Sequence, residues 1–145
     1  MTTIRPLRQS DHADWKRMWT AYLEFYETSV EEDVYVTLWE RLLGDDPQDF
    51  TCLVAENDGK LIGFTHYLFH RHAWRIDNVI YLQDLYVDPD VRGTGAGRAL
   101  IEAVYAVADV QNAAGVYWLT QEFNHTARQL YDRIANVTPF IRYNR

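Results

Sequence analysis

Three glycines at alternate positions, Gly93, Gly95 and Gly97, most constrain what this chain can fold into. They follow a β-rich run that ends at Asp88-Pro89, and a helical pattern opens after them at about Arg98. Glycine tolerates positive φ and lets the backbone approach a ligand closely, and a helix N-terminus favours negative charge. The segment therefore predicts a strand that leads through an anion site, most readily a phosphate site, into a helix.

The spacing of these glycines excludes two common nucleotide-binding loops. A dinucleotide fingerprint needs G-x-G-x-x-G, and the loop of a phosphate-binding NTPase needs Gly-Lys followed by Ser or Thr. The run instead resembles motif A of the GNAT superfamily of N-acetyltransferases, Gln/Arg-x-x-Gly-x-Gly/Ala, matched by Arg92, Gly95 and Gly97. In that family the loop binds the pyrophosphate of acetyl-CoA. A glycine-rich turn that only ends a strand is the simpler alternative, but the flanking strand and helix make it less favoured.

Length and composition indicate one globular domain, residues 1–145, with 48% hydrophobic and 24% charged residues. There is no apolar run of the ~20 residues that a membrane span needs, and the N-terminus lacks a secretory signal. The single cysteine, Cys52, cannot form an internal disulfide and lies in an apolar run, so a buried thiol in a reducing cytoplasm is expected. The net charge of −7 argues against nucleic acid and suits a cationic substrate.

The apolar periodicity predicts elements in the order β-α-α-β-β-β-α-β-α-β. Their ranges are Ile4–Arg8, helices around Trp15–Tyr26 and Tyr35–Leu42, strands Thr51–Glu56, Lys60–His72 and Asn78–Val87, a helix Arg98–Asn112, a strand Gly115–Thr120, a helix capped by Asn124, and a closing strand Thr138–Tyr143. Asp58-Gly59 predicts a tight hairpin, and the β-α-β crossover makes the strands on either side of it parallel. The fold class is α/β, a mixed sheet flanked by helices, with a cleft where the parallel strands diverge. This is the order of the GNAT fold.

Two segments, Tyr81–Val87 and Val116–Tyr131, resemble the GNAT branch that includes diamine and polyamine acetyltransferases. They look most like the fungal histone and polyamine acetyltransferases, some of which act on D-amino acids. The resemblance implies acetyl-CoA as cosubstrate, no metal, and a homodimer. The residues it implies for acetyl-CoA are Leu85, Tyr86, Val87, Arg92, Gly93, Thr94, Gly95, Ala96, Gly97, Arg98, Asn124 and Tyr131.

Acetyl transfer from a thioester requires a neutral amine, a polarised carbonyl and a proton for the departing thiolate. Tyr131, which completes the family pattern Asn-x-x-Ala-x-x-x-Tyr begun by Asn124, is the predicted general acid, because a phenol is protonated at neutral pH. Its alternative role is packing between helix and sheet. The catalytic prediction comprises Tyr131, Asp84 and Gln83.

The general base stays open. Similar polyamine acetyltransferases carry Glu where Gln83 stands, and Asp84 faces the other side of the strand. Glu122, His66 and water are further candidates. An α-amine with a pKa near 8 needs a base less than an amine near 10.4 does, so Gln83 favours an amino-acid-like acceptor.

The acceptor side of the cleft is assigned to Trp19, Tyr22, Tyr26 and Glu122, with core packing as the alternative for each aromatic residue. His66, His70 and His72 lie on or near one strand, but no carboxylate or cysteine joins them at ligand spacing. They are interpreted as edge or cleft histidines rather than metal ligands.

The sequence thus predicts acetyl transfer, by direct attack, to the primary amine of a small molecule (an amino acid or polyamine) or of a lysine side chain. The alternative function is a non-catalytic module that binds acyl-CoA and regulates a partner, which Gln83 in place of a carboxylate would favour. The edge left by the closing strand also predicts a homodimer.

Overall fold

A computed structural model describes every residue from Met1 to Arg145. The strands are β1 (Thr2–Pro6), β2 (Thr51–Asn57), β3 (Lys60–His70), β4 (Val79–Val87) and β5 (Val116–Tyr117), and the helices are α1 (His12–Phe25), α2 (Glu32–Leu43), α3 (Ala96–Gln111) and α4 (His125–Ile134). Short 3-10 turns span Gln9–Asp11 and Pro89–Val91. None of the helices combines the length and the apolar character needed to cross a bilayer.

The strands form one sheet in the order β1-β2-β3-β4-β5. The first three pairings are antiparallel, and β4 and β5 are parallel, as the crossover predicted. Asp58 and Gly59 both have positive φ (51° and 77°), which confirms the tight hairpin between β2 and β3.

Helices cover both faces of the sheet, and each face has its own core. On the α1 and α2 face the buried residues are Trp15, Met18, Trp19, Leu23, Leu42, Cys52, Val54, Leu61, Phe64 and Tyr86. On the α3 and α4 face they are Leu53, Ala55, Ile62, Tyr67, Ile80, Leu82, Ala96, Leu100, Ile101, Val104 and Ala108. The mixed α/β architecture with a parallel pair flanked by helices is confirmed.

A bulge interrupts the pairing of β3 with β4. Asp84 lies opposite His66 and Leu82 lies opposite Tyr67, so Gln83 is an extra residue on β4. A bulge of this kind shifts the side-chain alternation by one residue.

The shift changes which β4 residues face α3. Ile80 and Leu82 pack against the α3 core before the bulge, whereas Leu85 and Val87 do so after it. Asp84 consequently faces α1, although a regular strand would have placed it on the same side as Leu82.

At the C-terminal end one predicted strand is shorter than expected and the other is absent. The predicted strand Gly115–Thr120 contains only two strand residues, and the closing strand Thr138–Tyr143 is absent. β5 has only two residues and pairs with β4 only at Ile80 and Tyr81, so β5 itself offers almost no outer edge for a further strand to pair with. The apolar side chains of the tail, Val137, Phe140, Ile141 and Tyr143, are therefore exposed.

Candidate active site

The loop after β4 ends at the first turn of α3. Gly95, the N-cap residue, has φ +88° and Gly93 has φ +83°, conformations that other residues rarely adopt. The first-turn amides of Ala96, Gly97 and Arg98 have no acceptor within the helix, and all three residues line a cleft. A Cβ added at Gly93 or Gly95 would meet nothing within 4 Å. The loop is thus an open cradle of backbone N–H groups at a positive helix end, which suits a phosphate.

A buried carboxylate fixes the start of this loop. Asp88 accepts hydrogen bonds from Arg17 Nη1 (3.1 Å) and Tyr86 Oη (3.0 Å), while its own N–H donates to the Ile62 carbonyl (2.8 Å). Arg17 Nη2 also donates to the Leu61 carbonyl (3.0 Å). These bonds attach α1 to the end of β4 just before the phosphate cradle.

The cleft has a volume of about 560 Å³, within the usual range for small-molecule sites. It lies between the C-terminal half of α1, the end of β4, the cradle and the first turns of α4. Of the residues predicted from the sequence, it is lined by Tyr22, Tyr26, Leu85, Tyr86, Val87, Arg92, Gly93, Gly95, Ala96, Gly97, Arg98, Asn124 and Tyr131. The glycine-rich loop and the end of β4 therefore border the same cleft.

The cleft opens along β4 because β5 leaves it early. Beyond Tyr81 no strand pairs with the outer edge of β4. Backbone groups around Leu85 to Val87 therefore border the cleft, where an extended ligand can pair with them in the manner of an added strand.

Tyr131 lies on α4 with its ring against Trp118 (5.4 Å between centroids) and beside the α3 core. Burial, with a smaller contribution from Tyr26, raises its pKa to about 12. Its hydroxyl makes no hydrogen bond within the chain, and Tyr131 is one of the residues that line the cleft. Asn124 caps α4 by accepting from the Ala127 N–H (3.5 Å), as predicted.

A chain of buried polar groups extends from the α1 core to the cleft. Tyr22 Oη donates to Asp84 Oδ1 (2.8 Å), His66 Nδ1 lies 2.9 Å from Asp84 Oδ2, and Trp15 Nε1 donates to His66 Nε2 (3.1 Å). Asp84 is 8% exposed, and His66 and Trp15 are fully buried. Burial and the neighbouring Asp84 carboxylate raise the pKa of Tyr22 well above its usual value. His66 is therefore a core residue, not the edge or cleft histidine that the sequence suggested.

Five predicted site residues lie outside the cleft, and one of them is the buried Asp84. Gln83 is exposed and makes no side-chain hydrogen bond, Glu122 is exposed, and Thr94 points back to donate to the Val91 carbonyl (2.6 Å). Trp19 is 8% exposed and stacks between its neighbours in the α1 core. No group of three metal-ligating side chains occurs.

The structure adds residues that the sequence did not single out. Arg92 lies over the ring of Phe25 (5.9 Å), so the end of α1 and the cradle meet at the cleft mouth. Leu130 and Arg133 on α4 also line the cleft. Phe25 follows Tyr22 by three residues, a spacing that could have placed both on one face of α1.

Comparisons with known proteins agree with this geometry. The sequence model of the acetyltransferase (GNAT) family matches residues 15–135. D-amino-acid N-acetyltransferase HPA3 of Saccharomyces cerevisiae is 34% identical over 143 residues, which cover 98% of this chain and 89% of that protein. Thialysine N-epsilon-acetyltransferase of Mus musculus is 34% identical over 143 residues, with coverage of 90% and 81%.

Solved structures share the fold. A ribosomal-protein-alanine N-acetyltransferase from Brucella melitensis aligns with a TM-score of 0.79 at 23% identity, covering 99% of this chain and 98% of that one. The aminoglycoside acetyltransferase AAC(6')-Iy, solved with a CoA bisubstrate analog, aligns with a TM-score of 0.84 at 18% identity, covering 100% and 97%.

Proposed function

Because this chain belongs to the acetyltransferase (GNAT) family and is an acetyl-CoA-dependent N-acetyltransferase, we propose that it acetylates the primary amine of a small molecule by direct attack. The observation that carries this proposal is that the N–H cradle, the open edge of β4 and Tyr131 all border one cleft. Family membership favours an enzyme over the alternative of a binding module without turnover.

The residues present fit acetyl-CoA, which supplies the acetyl thioester when bound. The backbone from Gly93 to Arg98 would hold its pyrophosphate, since this cradle is open and its first-turn amides are unpaired. The free edge of β4 at Leu85 to Val87 would pair with its extended arm. Asn124 borders the same cleft and orders the start of α4, on which Tyr131 lies.

Tyr131 would act as general acid. Its raised pKa keeps the phenol protonated throughout the physiological range, so it holds a proton that it can donate. The neighbouring Trp118 ring and the α3 core fix its orientation.

The acceptor class follows from the charge of the opposite wall. Asp84 lies behind this wall, where it accepts a hydrogen bond from Tyr22, and the ring of Tyr26 packs on that of Tyr22 (5.1 Å). Aromatic rings and a carboxylate favour a cationic ammonium group. Relatives named for D-amino acids and thialysine support a small amino-acid-like amine, with polyamines and lysine side chains as the other candidates.

A CoA-release assay with a panel of D- and L-amino acids, polyamines and lysine peptides tests this function. We expect turnover with at least one small amine, most readily an amino-acid-like one. Tight acetyl-CoA binding, seen as a raised melting temperature, with no product across the panel would instead support the non-catalytic module.

We further propose that residues 1–145 form one catalytic domain, since a single sheet separates both cores, and that it works in the cytoplasm, where its buried free thiol at Cys52 stays reduced. A homodimer would cover the exposed apolar tail, Val137, Phe140, Ile141 and Tyr143. Sedimentation at micromolar concentration checks this, and a monomer there would refute it.

A further inference from the structure

The resemblance to the family leaves the general base of the reaction unassigned. The buried hydrogen-bond network that joins Trp15, His66, Asp84 and Tyr22 contains a candidate. Tyr22 lines the cleft, whereas Asp84 does not and is almost fully buried. The 2.8 Å bond from Tyr22 Oη to Asp84 Oδ1 is thus a hydrogen-bonded route from the cleft to a carboxylate. A carboxylate at the inner end of such a route can accept a proton delivered at its outer end.

The hydrogen-bond donors in this network determine the protonation state of His66. An indole N–H can only donate, so Trp15 Nε1 at 3.1 Å requires a bare, accepting Nε2 on His66. The one remaining ring proton is then on Nδ1 and donates to Asp84 Oδ2, 2.9 Å away. A doubly protonated ring would place two donors against each other. His66 is therefore held neutral, and it orients Asp84 without cancelling its charge.

The other ionisable groups around this hydrogen-bond network do not carry a positive charge that would cancel that of the Asp84 carboxylate. Cys52 lies directly opposite His66 on β2, and burial raises the pKa of its thiol, which keeps it neutral. From α1, Tyr22 and Tyr26 face the carboxylate as neutral phenols with raised pKa values. Tyr81 lies three residues before Asp84 on β4, and its pKa is likewise raised by burial.

The cations of the α1 face are engaged elsewhere. Arg17 pairs with Asp88, and Arg5 pairs with Asp11 and Glu56. The only groups bonded to the Asp84 side chain are therefore two neutral donors, Tyr22 and His66.

We propose that Tyr22 is the catalytic residue that receives a proton from the acceptor ammonium while passing its own hydroxyl proton to Asp84, and that His66 and Trp15 are positioning residues that keep Asp84 oriented and charged. This assignment rests on the proposed acetylation of an amine. It gives the chain a base in the place where Gln83 cannot serve.

The proton balance closes. The ammonium loses one proton through Tyr22 to Asp84, and the freed nitrogen lone pair attacks the acetyl carbonyl. One N–C bond forms, the C–S bond breaks, and Tyr131 gives its proton to the sulfur. The nitrogen then loses its second proton, which restores Tyr131, and Asp84 releases its proton to water. The net products are the amide, CoA thiol and one proton.

Tyr22 does not ionise in this scheme. Its raised pKa means that the hydroxyl gives up one proton only as it gains another. The relay therefore matters most for an amine that is almost wholly protonated at neutral pH.

Comparing two amines tests the relay. At pH 7 about one lysine-type amine in 2500 is neutral, against about one peptide-type α-amine in ten, so the second substrate is one whose α-amine has no free carboxylate beside it. We expect Tyr22→Phe to lower kcat/KM for the lysine-type amine by about 10²-fold and for the α-amine much less, with the deficit closing as the pH approaches each amine's pKa. Tyr105→Phe, which removes a hydroxyl bonded to the Ile134 carbonyl on the other face, is the control and should behave as wild type.

A uniform loss for both amines at every pH would overturn the relay, because it would mean that Tyr22 only shapes the cleft. A retained rise in melting temperature with acetyl-CoA shows that the variant is folded. Wild-type protein that releases no CoA with either amine would refute the proposed function instead.

Nitrogen NMR of the His66 ring tests the positioning role without any turnover. We expect a proton on Nδ1 and a bare Nε2 at neutral pH in the wild type, as the two hydrogen bonds require. Trp15→Phe, which removes the indole donor, should let Nε2 carry the ring proton in a larger fraction of molecules and should lower kcat/KM for the lysine-type amine more than for the α-amine. A wild-type ring protonated at Nε2 would overturn the assignment.

Discussion

The two faces of the sheet are built from different side chains. The α3 face is filled mainly by aliphatic residues, whereas the α1 face combines tryptophan, tyrosine and phenylalanine rings with the buried polar groups of Asp84 and His66. An aliphatic core has no polar atoms to satisfy, so it can fix α3 and its cradle by packing alone. Each polar group on the α1 face needs a partner, and that requirement fixes its orientation as packing cannot.

This difference assigns separate tasks to the two faces. The α3 face positions the cradle for the acetyl donor, and the α1 face holds the groups that would meet the acceptor. Tyr131 is the exception, since it packs beside the aliphatic core and yet reaches the cleft.

The largest effect on activity is expected for a substitution of Tyr131. Tyr131→Phe keeps the ring but removes the proton, so kcat should fall by about 10²- to 10⁴-fold while the melting temperature changes little. Steady-state kinetics with thermal unfolding of the same variant measure both. A wild-type kcat would show that Tyr131 only packs.

Truncating the aliphatic face should act on stability instead. Leu100→Ala removes a fully buried side chain from α3 and should lower the free energy of unfolding by about 2–5 kcal/mol. Val110→Ala, on the exposed side of the same helix (78% exposed), should cost less than about 0.5 kcal/mol in denaturant titrations. Equal losses for the two variants would contradict the division between the faces.

Alkaline pH should lower the free energy of unfolding through one tyrosine on each face of the sheet. The pKa values of Tyr131 and Tyr86 are each raised to about 12, above the ordinary value of about 10. The unfolded chain therefore loses these protons first, so the stability they contribute is present below pH 10 and declines as the pH rises from about 10 to 12. Denaturant titrations at several pH values should show a shallower decline for Tyr131→Phe, and an unchanged slope would contradict the shift at Tyr131.

The smallest effect is expected at the bulge. Gln83 is exposed and bonded to nothing, so Gln83→Ala should change kcat/KM by no more than about twofold, the equivalent of about 0.5 kcal/mol. A loss as large as that of Tyr131→Phe would restore a catalytic role for Gln83.

Local signals predicted most of the fold. The periodicity of α1 and α3, the Asp58-Gly59 turn and the Asn124 cap each depend on residues close together in sequence. The bulge at Gln83 was not predictable, because the apolar run of β4 has no alternation to reveal a shift of one residue. The tail was misassigned because a strand needs an edge to pair with, and β5 provides almost none.

The site was predictable to the same extent. The cradle is contiguous in sequence, and all of its predicted residues except Thr94 line the cleft. The bonds of His66 join three elements, which no local pattern reports. Trp19 and Tyr22 share a helix face, and only their depth under the neighbouring helix separates a core residue from one that lines the cleft.

At the bulge, substituting Gln83 and deleting it should have very different effects. Position 83 tolerates many side chains because the one there contacts nothing, yet deleting it would return β4 to strict alternation and turn Asp84 away from Tyr22 and His66. Substitutions at position 83 are therefore expected to have small effects, whereas the loss of that residue would exchange the two sheet faces on which the later side chains of β4 lie.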